Sequence, residues 1–583
     1  TINNLTPGTY TVTASNVASG ASNYGGSPAT QTKAVTAGGT ASATVTYAVI
    51  STSTLNLIVA GMYVVQSSQS FVESVPLVKD RGAELRVFVQ ANLANTVAPQ
   101  VRVRFFNGAT LVQTSTINAP TGAVPLTIDE STLNGSWNLT LAPALVQPGM
   151  SIVADVDPAG VIAESNKADN SFPSSGSMAL DVRAMPRFDI TFVPVLITEN
   201  SAQGNVTGGN SSQFLNMTTK LWPIVTTDVA VHAPYSTAAH PLVSDDANHS
   251  WNQILGEILA LRGTEGSGRY YYGVVHATYG SGIAGLGYVG LGTALGWDFL
   301  PSGDGVAAHE LGHNFGRQHA PCGNPSSPDP SYPYANAAIG VTGFDLATLT
   351  VKQASMPDLM SYCHPEWVSD YNYKAVVDWR TTHGDITQAS NAASQRTLLV
   401  WGRVTNDELI LEPAFTVVTR PLLPARAGPY HVDAVDANGT SVFSLSFAGE
   451  EVADGPDGAR AFAFTVPISA EAESRISELR LTAPGRAPRS LRSGISAAVQ
   501  AQPGTPGGPA DPKAIVSAVP GGRARVVWDA TSHPMVMVRD AASGQVLSFG
   551  RNGTATVANN GGDLELVFSD RVHSTSQRIS VPR

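Results

Sequence analysis

The 583 residues carry 34 Lys+Arg against 45 Asp+Glu, a net charge of −11. That balance argues against nucleic acid or an anionic membrane as partner, because both need a clustered cationic surface and no basic run is present. With 43% hydrophobic and only 14% charged residues the chain can bury cores and is not disordered, and at roughly 150 residues per domain it suggests about four domains.

Residues 1–52 are rich in Thr, Ser, Ala, Gly and Val, with alternating runs at 10–13 and 43–47 between Gly-containing turns, the pattern of a small all-β module. The opening Thr-Ile-Asn-Asn-Leu-Thr-Pro-Gly reads as the middle of a β domain. The expectation is therefore of an N-terminally truncated module, and the missing secretory signal is no argument for a cytosolic home. Residues 53–184 alternate apolar and polar at 84–89 and 101–105 between Asn, Gly and Pro turns, which predicts a β-sandwich of Ig-like kind. The stretch Val161-Ile-Ala-Glu-Ser-Asn-Lys-Ala-Asp-Asn170 resembles the closing hairpin of CARDB-type adhesion modules.

After Pro186 strands and helices alternate. Strands are expected at 188–197, near Val229, at 269–276 and over the Gly-rich 282–290; helices near 211–221, from Trp251, from about Asp304 and from about Asp370 to Trp379. This makes 185–387 an α/β domain. Residues 388–503 return to strands at 397–402, 409–411 and 461–466, a β-sandwich. The run 502–512 is too rich in Pro and Gly for regular structure, so it separates a last small β domain, 513–583. The expected architecture is one α/β domain flanked by all-β modules, and no apolar stretch is long enough to insert in a membrane as a helix.

Residues 307–322 contain His309-Glu-Leu-Gly-His313-Asn-Phe-Gly316-Arg-Gln-His319, the pattern HExxHxxGxxH. On a helix, His309 and His313 project from one face a turn apart, a spacing that lets two imidazoles grip one Zn²⁺. Glu310 points off that axis, where a carboxylate can act as a base instead of a ligand. A glycine at 316 can take the left-handed conformation that ends a helix and brings His319 back. Three imidazoles and a water make a catalytic zinc site with an open position.

Together with Asp358-Leu-Met-Ser-Tyr-Cys363, the motif resembles metzincin zinc endopeptidases. The resemblance implies a mixed sheet, an active-site helix and Met360 in a Met-turn beneath the zinc histidines. It also implies Tyr362 as a displaceable fifth ligand that stabilises the oxyanion; a packed tyrosine is the alternative. The region with Gly285-Leu-Gly-Tyr-Val-Gly290, Gly296-Trp-Asp298 and the histidines resembles StcE-type secreted, mucin-degrading metalloproteases. In such enzymes the strand before the active-site helix pairs with substrate, which points to Gly285, Leu286, Gly287 and Tyr288, their glycines admitting a substrate backbone; a flexible loop fits the composition equally.

The only cysteines, Cys322 and Cys363, follow His319 and Met360 by three residues each. A disulfide would tie these segments together and imply an oxidising compartment; buried thiols or cysteine ligands are the competing reading. His364 is expected to face solvent. Tyr270, Tyr271 and Tyr272 line either a cleft or a core, and Asp298 is a hydrogen-bond acceptor near the site or a turn residue. The function expected is that of a bacterial extracellular or surface-associated zinc endopeptidase, with Glu310 as general base toward a zinc-activated water. Its substrate would be a protein or glycoprotein. The rivals are an O-glycan-dependent glycopeptidase and an adhesin or glycan-binding protein with a vestigial metal domain, and the β modules suit attachment to glycan or surface in either case.

Overall fold

The computed structural model describes residues 1–19, 22–50, 54–71, 74–384, 393–405, 408–455, 459–494, 513–559 and 561–582; the expected linker at 502–512 lies outside them. The chain is mostly β-sheet with few helices. It divides into two compact units, one of Thr1–Arg183 with Phe344–Val351, the other of Ala184–Gly343 with Lys352–Arg583. No described helix is long and apolar enough to cross a membrane.

In the first unit, Gly8–Thr13 pairs antiparallel with Thr30–Val35, and Ser22–Ser27 lies between Val17–Ser19 and Thr46–Ile50. The strand expected at 43–47 begins only at Thr46, which pairs with Ser27; Pro28 follows, and it has no N–H with which to continue the ladder. Residues 55–182 form the expected sandwich. Leu57–Val65, Ala83–Ala91 and Trp137–Leu141 make one sheet, and Val101–Asn107, Thr110–Ile117, Met150–Val156 and Ser171–Phe172 the other. Val101, Val103 and Phe105 enter the common core, while the intervening Arg102 and Arg104 both pair with Asp155 at 3.1 Å. The stretch 161–170 is the loop of the hairpin that pairs Met150–Val156 with Ser171–Phe172. It is held by buried Glu164, which accepts from Leu57 N at 3.2 Å and Asn170 Nδ2 at 2.9 Å.

The second unit begins with β1 (Phe188–Ile197), α1 (Asn216–Leu221), β2 (Thr227–Val231), β3 (Tyr235–Thr237), α2 (Ser250–Thr264), β4 (Tyr270–Val275), β5 (Gly285–Gly287), β6 (Thr293–Trp297), α3 (Ser302–Asn314) and α4 (Asp370–His383). β1 runs parallel to β2, β3 and β4, and β4 parallel to β6. Parallel neighbours need a crossover: α1 lies in the connection from β1 to β2, and α2 in the one that carries the chain from β3 on one side of β1 to β4 on the other. β5 pairs antiparallel with β6, as Ala202–Gln203 does with the end of β1. The glycine-rich run expected as a strand at 282–290 forms regular strand over three residues only. Tyr270, Tyr271 and Tyr272 are core residues, not cleft lining: Tyr270 packs on Phe188 and Phe315, with ring centroids 4.7 and 5.7 Å away.

Downstream, Gln395–Val404 and Arg460–Pro467 pair in one sheet and Tyr430–Val435 and Glu478–Thr482 in another, packed over a shared apolar core. The last strands join the parallel sheet where Ser548 pairs with Ser236 of β3. α2 is buried nearly all round: Ile254, Leu255, Ile258 and Leu259 share one core with Leu399, Trp401, Phe415, Ala463, Met537 and Phe549. Residues of the three expected segments from 185 onward therefore fill a single core.

A buried ionic knot fastens these parts. Arg551 lies 2.7 Å from Glu412 and 3.7 Å from Glu257, and Tyr235 donates to Glu257 at 2.9 Å. Glu257 has no solvent exposure, so removing the guanidinium strands a charge in the interior. Arg551→Ala should cost about 3–5 kcal/mol in chemical denaturation, whereas Arg578→Ala, which removes an exposed pair with Asp563, should cost less than about 1 kcal/mol.

Candidate metal centre

α3 carries His309, Glu310 and His313, and its end is built by Gly316. With φ at +80°, Gly316 donates to His313 O at 2.8 Å and Arg317 N donates to Gly312 O at 3.0 Å, a left-handed cap of Schellman type. The reversal brings His319 back, so that its ring centroid is 4.6 Å from that of His313 and 5.4 Å from that of His309.

The second nitrogen of each ring decides what the three can do. His309 Nδ1 bonds Leu359 O at 2.8 Å, His313 Nδ1 bonds Arg317 O at 2.7 Å and His319 Nδ1 bonds Ser326 O at 2.9 Å. A carbonyl only accepts, so each Nδ1 holds the proton and each Nε2 presents its lone pair. Those lone pairs meet: His309 Nε2 and His313 Nε2 stand 3.1 Å apart. Burial holds the first two imidazoles neutral, bringing His309 down to about 3 and lowering His313 as well.

A fourth donor comes from 135 residues downstream. Asp454 lies 2.9 Å from His319 Nε2 and 3.3 Å from His313 Nε2, and the four side chains form one group able to hold a metal ion. Burial opposes ionisation of Asp454, but the adjoining rings of His313 and His319, which donate from Nε2 when they carry a second proton, outweigh it and hold the carboxyl well below its ordinary range. Against the burial that disfavours its charge, the same bond raises His319. Glu310 is buried, with Oε2 lacking any hydrogen-bond partner among the described residues; burial, and then the charge of Asp454, push its carboxyl up.

Met360 lies under the helix: a methyl group at Gly312 would collide with its Sδ. The turn that presents it is organised by Asp358, fully buried, which accepts from Met360 N, Asn372 Nδ2 and Ser369 N at 2.7–2.8 Å. Tyr362, on the same turn, has its ring 5.1 Å from His319 and donates its hydroxyl to Asp454. Cys322 and Cys363 are joined in a disulfide, Cα atoms 5.8 Å apart. Beside it Tyr362 N donates to Cys322 O at 3.0 Å and Ala320 N to Met360 O at 2.8 Å.

Gly285, Leu286, Gly287 and Tyr288 are buried, and the two glycines face Glu310. A methyl at Gly285 would stand 2.6 Å from Glu310 Oε1, and one at Gly287 would stand 3.0 Å from Oε2; their lack of a side chain makes room for the carboxylate. The outer side of this strand is paired with the chain itself, as Ala453 N donates to Gly287 O at 2.9 Å and Val289 N to Glu451 O at 3.0 Å.

Asp298 is not at the centre; it accepts from His276 and, at 2.9 Å, from Asn205 N. His364 is exposed and pairs with Glu366 at 2.5 Å. The sequence reading missed Asp358 and Asp454. The first heads the Met360 segment and could have been found there, since a buried carboxylate is a common organiser of a tight turn. Asp454, in Glu-Glu-Val-Ala-Asp-Gly, carries no local signal.

No protein-family model matches the sequence, and no curated protein does. Solved structures similar to parts of it include the CARDB domain of a Pyrococcus furiosus protein in complex with di-metal ions, at 17% identity over 22% of this chain and 94% of that one, TM-score 0.15. Another is a chaperone-substrate complex, at 12% identity over 44% and 40%, TM-score 0.21. A third is a β-glycosidase from Bacteroides vulgatus, at 10% identity over 92% and 80%, TM-score 0.13. Likeness at that level carries no functional argument.

The disulfide closes a separation of 41 residues, which by chain entropy is worth about 4 kcal/mol. Replacing Cys322 and Cys363 together by alanine should lower stability by roughly that amount in urea. Equal unfolding curves for the wild type with and without reductant would show that the bridge contributes nothing.

Proposed function

We propose that the second unit is a zinc-dependent endopeptidase of metzincin type, acting on extracellular proteins or glycoproteins. The observation that carries the reading is the convergence of three Nε2 lone pairs, each fixed by a backbone carbonyl on the far side of its ring. Neutral imidazoles in that arrangement suit Zn²⁺. The orphaned Oε2 of Glu310 and Oδ2 of Asp454, buried beside them, fit a cation in their midst. His309, His313 and His319 would hold it.

Zinc bound there would supply a Lewis acid that polarises a peptide carbonyl and acidifies water. Glu310 takes the proton from the attacking water and returns it to the departing amine. Its raised proton affinity suits both steps, because a carboxyl that is too acidic would not hold the proton long enough to deliver it. Tyr362 donates its hydroxyl to the oxygen that becomes negative. The outer edge of β5, once released from its pairing with Glu451 and Ala453, would pair with an extended substrate backbone, and since main-chain bonding selects extended peptides without regard to side chains, it suits cleavage within a chain.

The set of three imidazoles and a carboxylate also favours a second reading, a structural ion with four protein ligands. Glu310 speaks against it, since a buried carboxylate that ligates nothing costs stability and gains nothing there. Glu310→Gln should keep stoichiometric zinc and lose hydrolysis of casein or mucin by about 10²–10⁴-fold; undiminished cleavage would remove Glu310 from the reaction. His313→Ala should lose the zinc, measured by atomic absorption after dialysis. Cleavage of one mucin before and after deglycosylation separates a general endopeptidase from a glycan-dependent one.

A further inference from the structure

A protease needs an accessible edge strand and a vacant metal corner, and in this chain both are taken by one short segment. Glu450–Glu451 pairs antiparallel with Arg460 and Ala461 of the downstream sandwich, and Glu451 is tied to Arg460 at 3.1 Å. From that strand the chain runs antiparallel along the edge next to β5, with Val452 opposite Tyr288. Its bonds to Gly287 O and from Val289 N are those an extended peptide would make.

The segment ends at Asp454, whose φ of +58° is left-handed; aspartate tolerates that conformation better than most residues. There the carboxylate reaches His313 and His319 and takes the hydroxyl of Tyr362. Val452 and Ala453 are almost fully buried. The space left between the segment and His313 and His319 admits water and not a peptide.

We infer that residues 450–455 form an internal inhibitory arm, which occupies the peptide groove along β5 with its backbone and closes the metal centre with Asp454. The inference rests on the proposed protease reading for its biological sense, but the occupancy it describes can be measured without catalysis. The arm belongs to the same compact unit as the site, so a substrate or an inhibitor must displace it locally. Any gain in access from weakening the arm then reports how strongly it holds.

The test uses the full chain loaded with zinc. Asp454→Gly removes the carboxylate and suits a left-handed backbone, while Ala453→Pro removes the N–H that Gly287 O accepts. For each variant and the wild type, calorimetry measures binding of a peptide hydroxamate, and hydrogen exchange measures protection of 285–291 in the same zinc-loaded protein. The expected result is hydroxamate binding at least tenfold tighter in both variants, with faster exchange in 285–291. If casein is then cleaved at least tenfold faster, the protease reading gains with the arm. If hydroxamate binding tightens and no substrate is cleaved by any form, the arm stands and the protease reading falls. Equal hydroxamate affinity and equal exchange in all three would overturn the arm. So would outright loss of zinc from the Asp454→Gly variant, because Asp454 would then be a permanent ligand of a structural ion.

Discussion

Three hydrogen bonds on the outer side of the histidine rings govern the centre. An imidazole that is free to flip or change tautomer is a poor donor; one whose Nδ1–H is engaged by a carbonyl has its Nε2 lone pair aimed before any ion arrives. The three carbonyls come from different places: Leu359 in the turn before Met360, Arg317 just past the α3 cap, and Ser326 in the loop after His319. The surrounding features are what keep those carbonyls in position. Gly316 turns the chain so that Arg317 O faces back on His313, Asp358 shapes the turn that offers Leu359 O, and the Cys322–Cys363 bridge links the loop of Ser326 to that turn.

How much of this could be read from the residues depends on the range of the interaction. The cap, the helical spacing of His309 and His313 and the return of His319 lie within eleven residues, where backbone geometry alone sets the outcome. The disulfide was legible by a different route: the resemblance that sets the Met360 segment beneath the zinc histidines implies that the segments carrying Cys322 and Cys363 meet, as they do. Gly285 and Gly287 mark the limit. Their presence signals a close approach, but composition does not say of what, and the neighbour is Glu310 instead of a substrate. Asp454 lies beyond reach altogether: its position depends on the sandwich, on Arg460 pairing with Glu451 and on the path along β5, none of which leaves a trace in the six residues around it.

The packing explains why so remote a residue arrives reliably. α2 shares its core with both the downstream sandwich and the last β segment, and Arg551 bridges Glu412 and Glu257. A carboxylate delivered by a loosely tethered module would carry the entropic cost of ordering that module each time it docked. Delivered from a strand of a body already fixed against the parallel sheet, it requires the ordering of only a few residues of the arm, and a few short main-chain bonds are enough to seat it.

Charge then links the arm to the ion. Glu310 and Asp454 are two buried carboxyls beside three imidazoles, and two like charges that close in a low-dielectric pocket cannot both remain ionised unaided. Burial and Asp454 together push Glu310 toward its protonated form, whereas Asp454 keeps its charge through His313 and His319. A dication held by the three Nε2 atoms is the species that balances two carboxylates in one pocket. By linkage, whatever favours the ion in the presence of Asp454 favours the arm in the presence of the ion to the same degree.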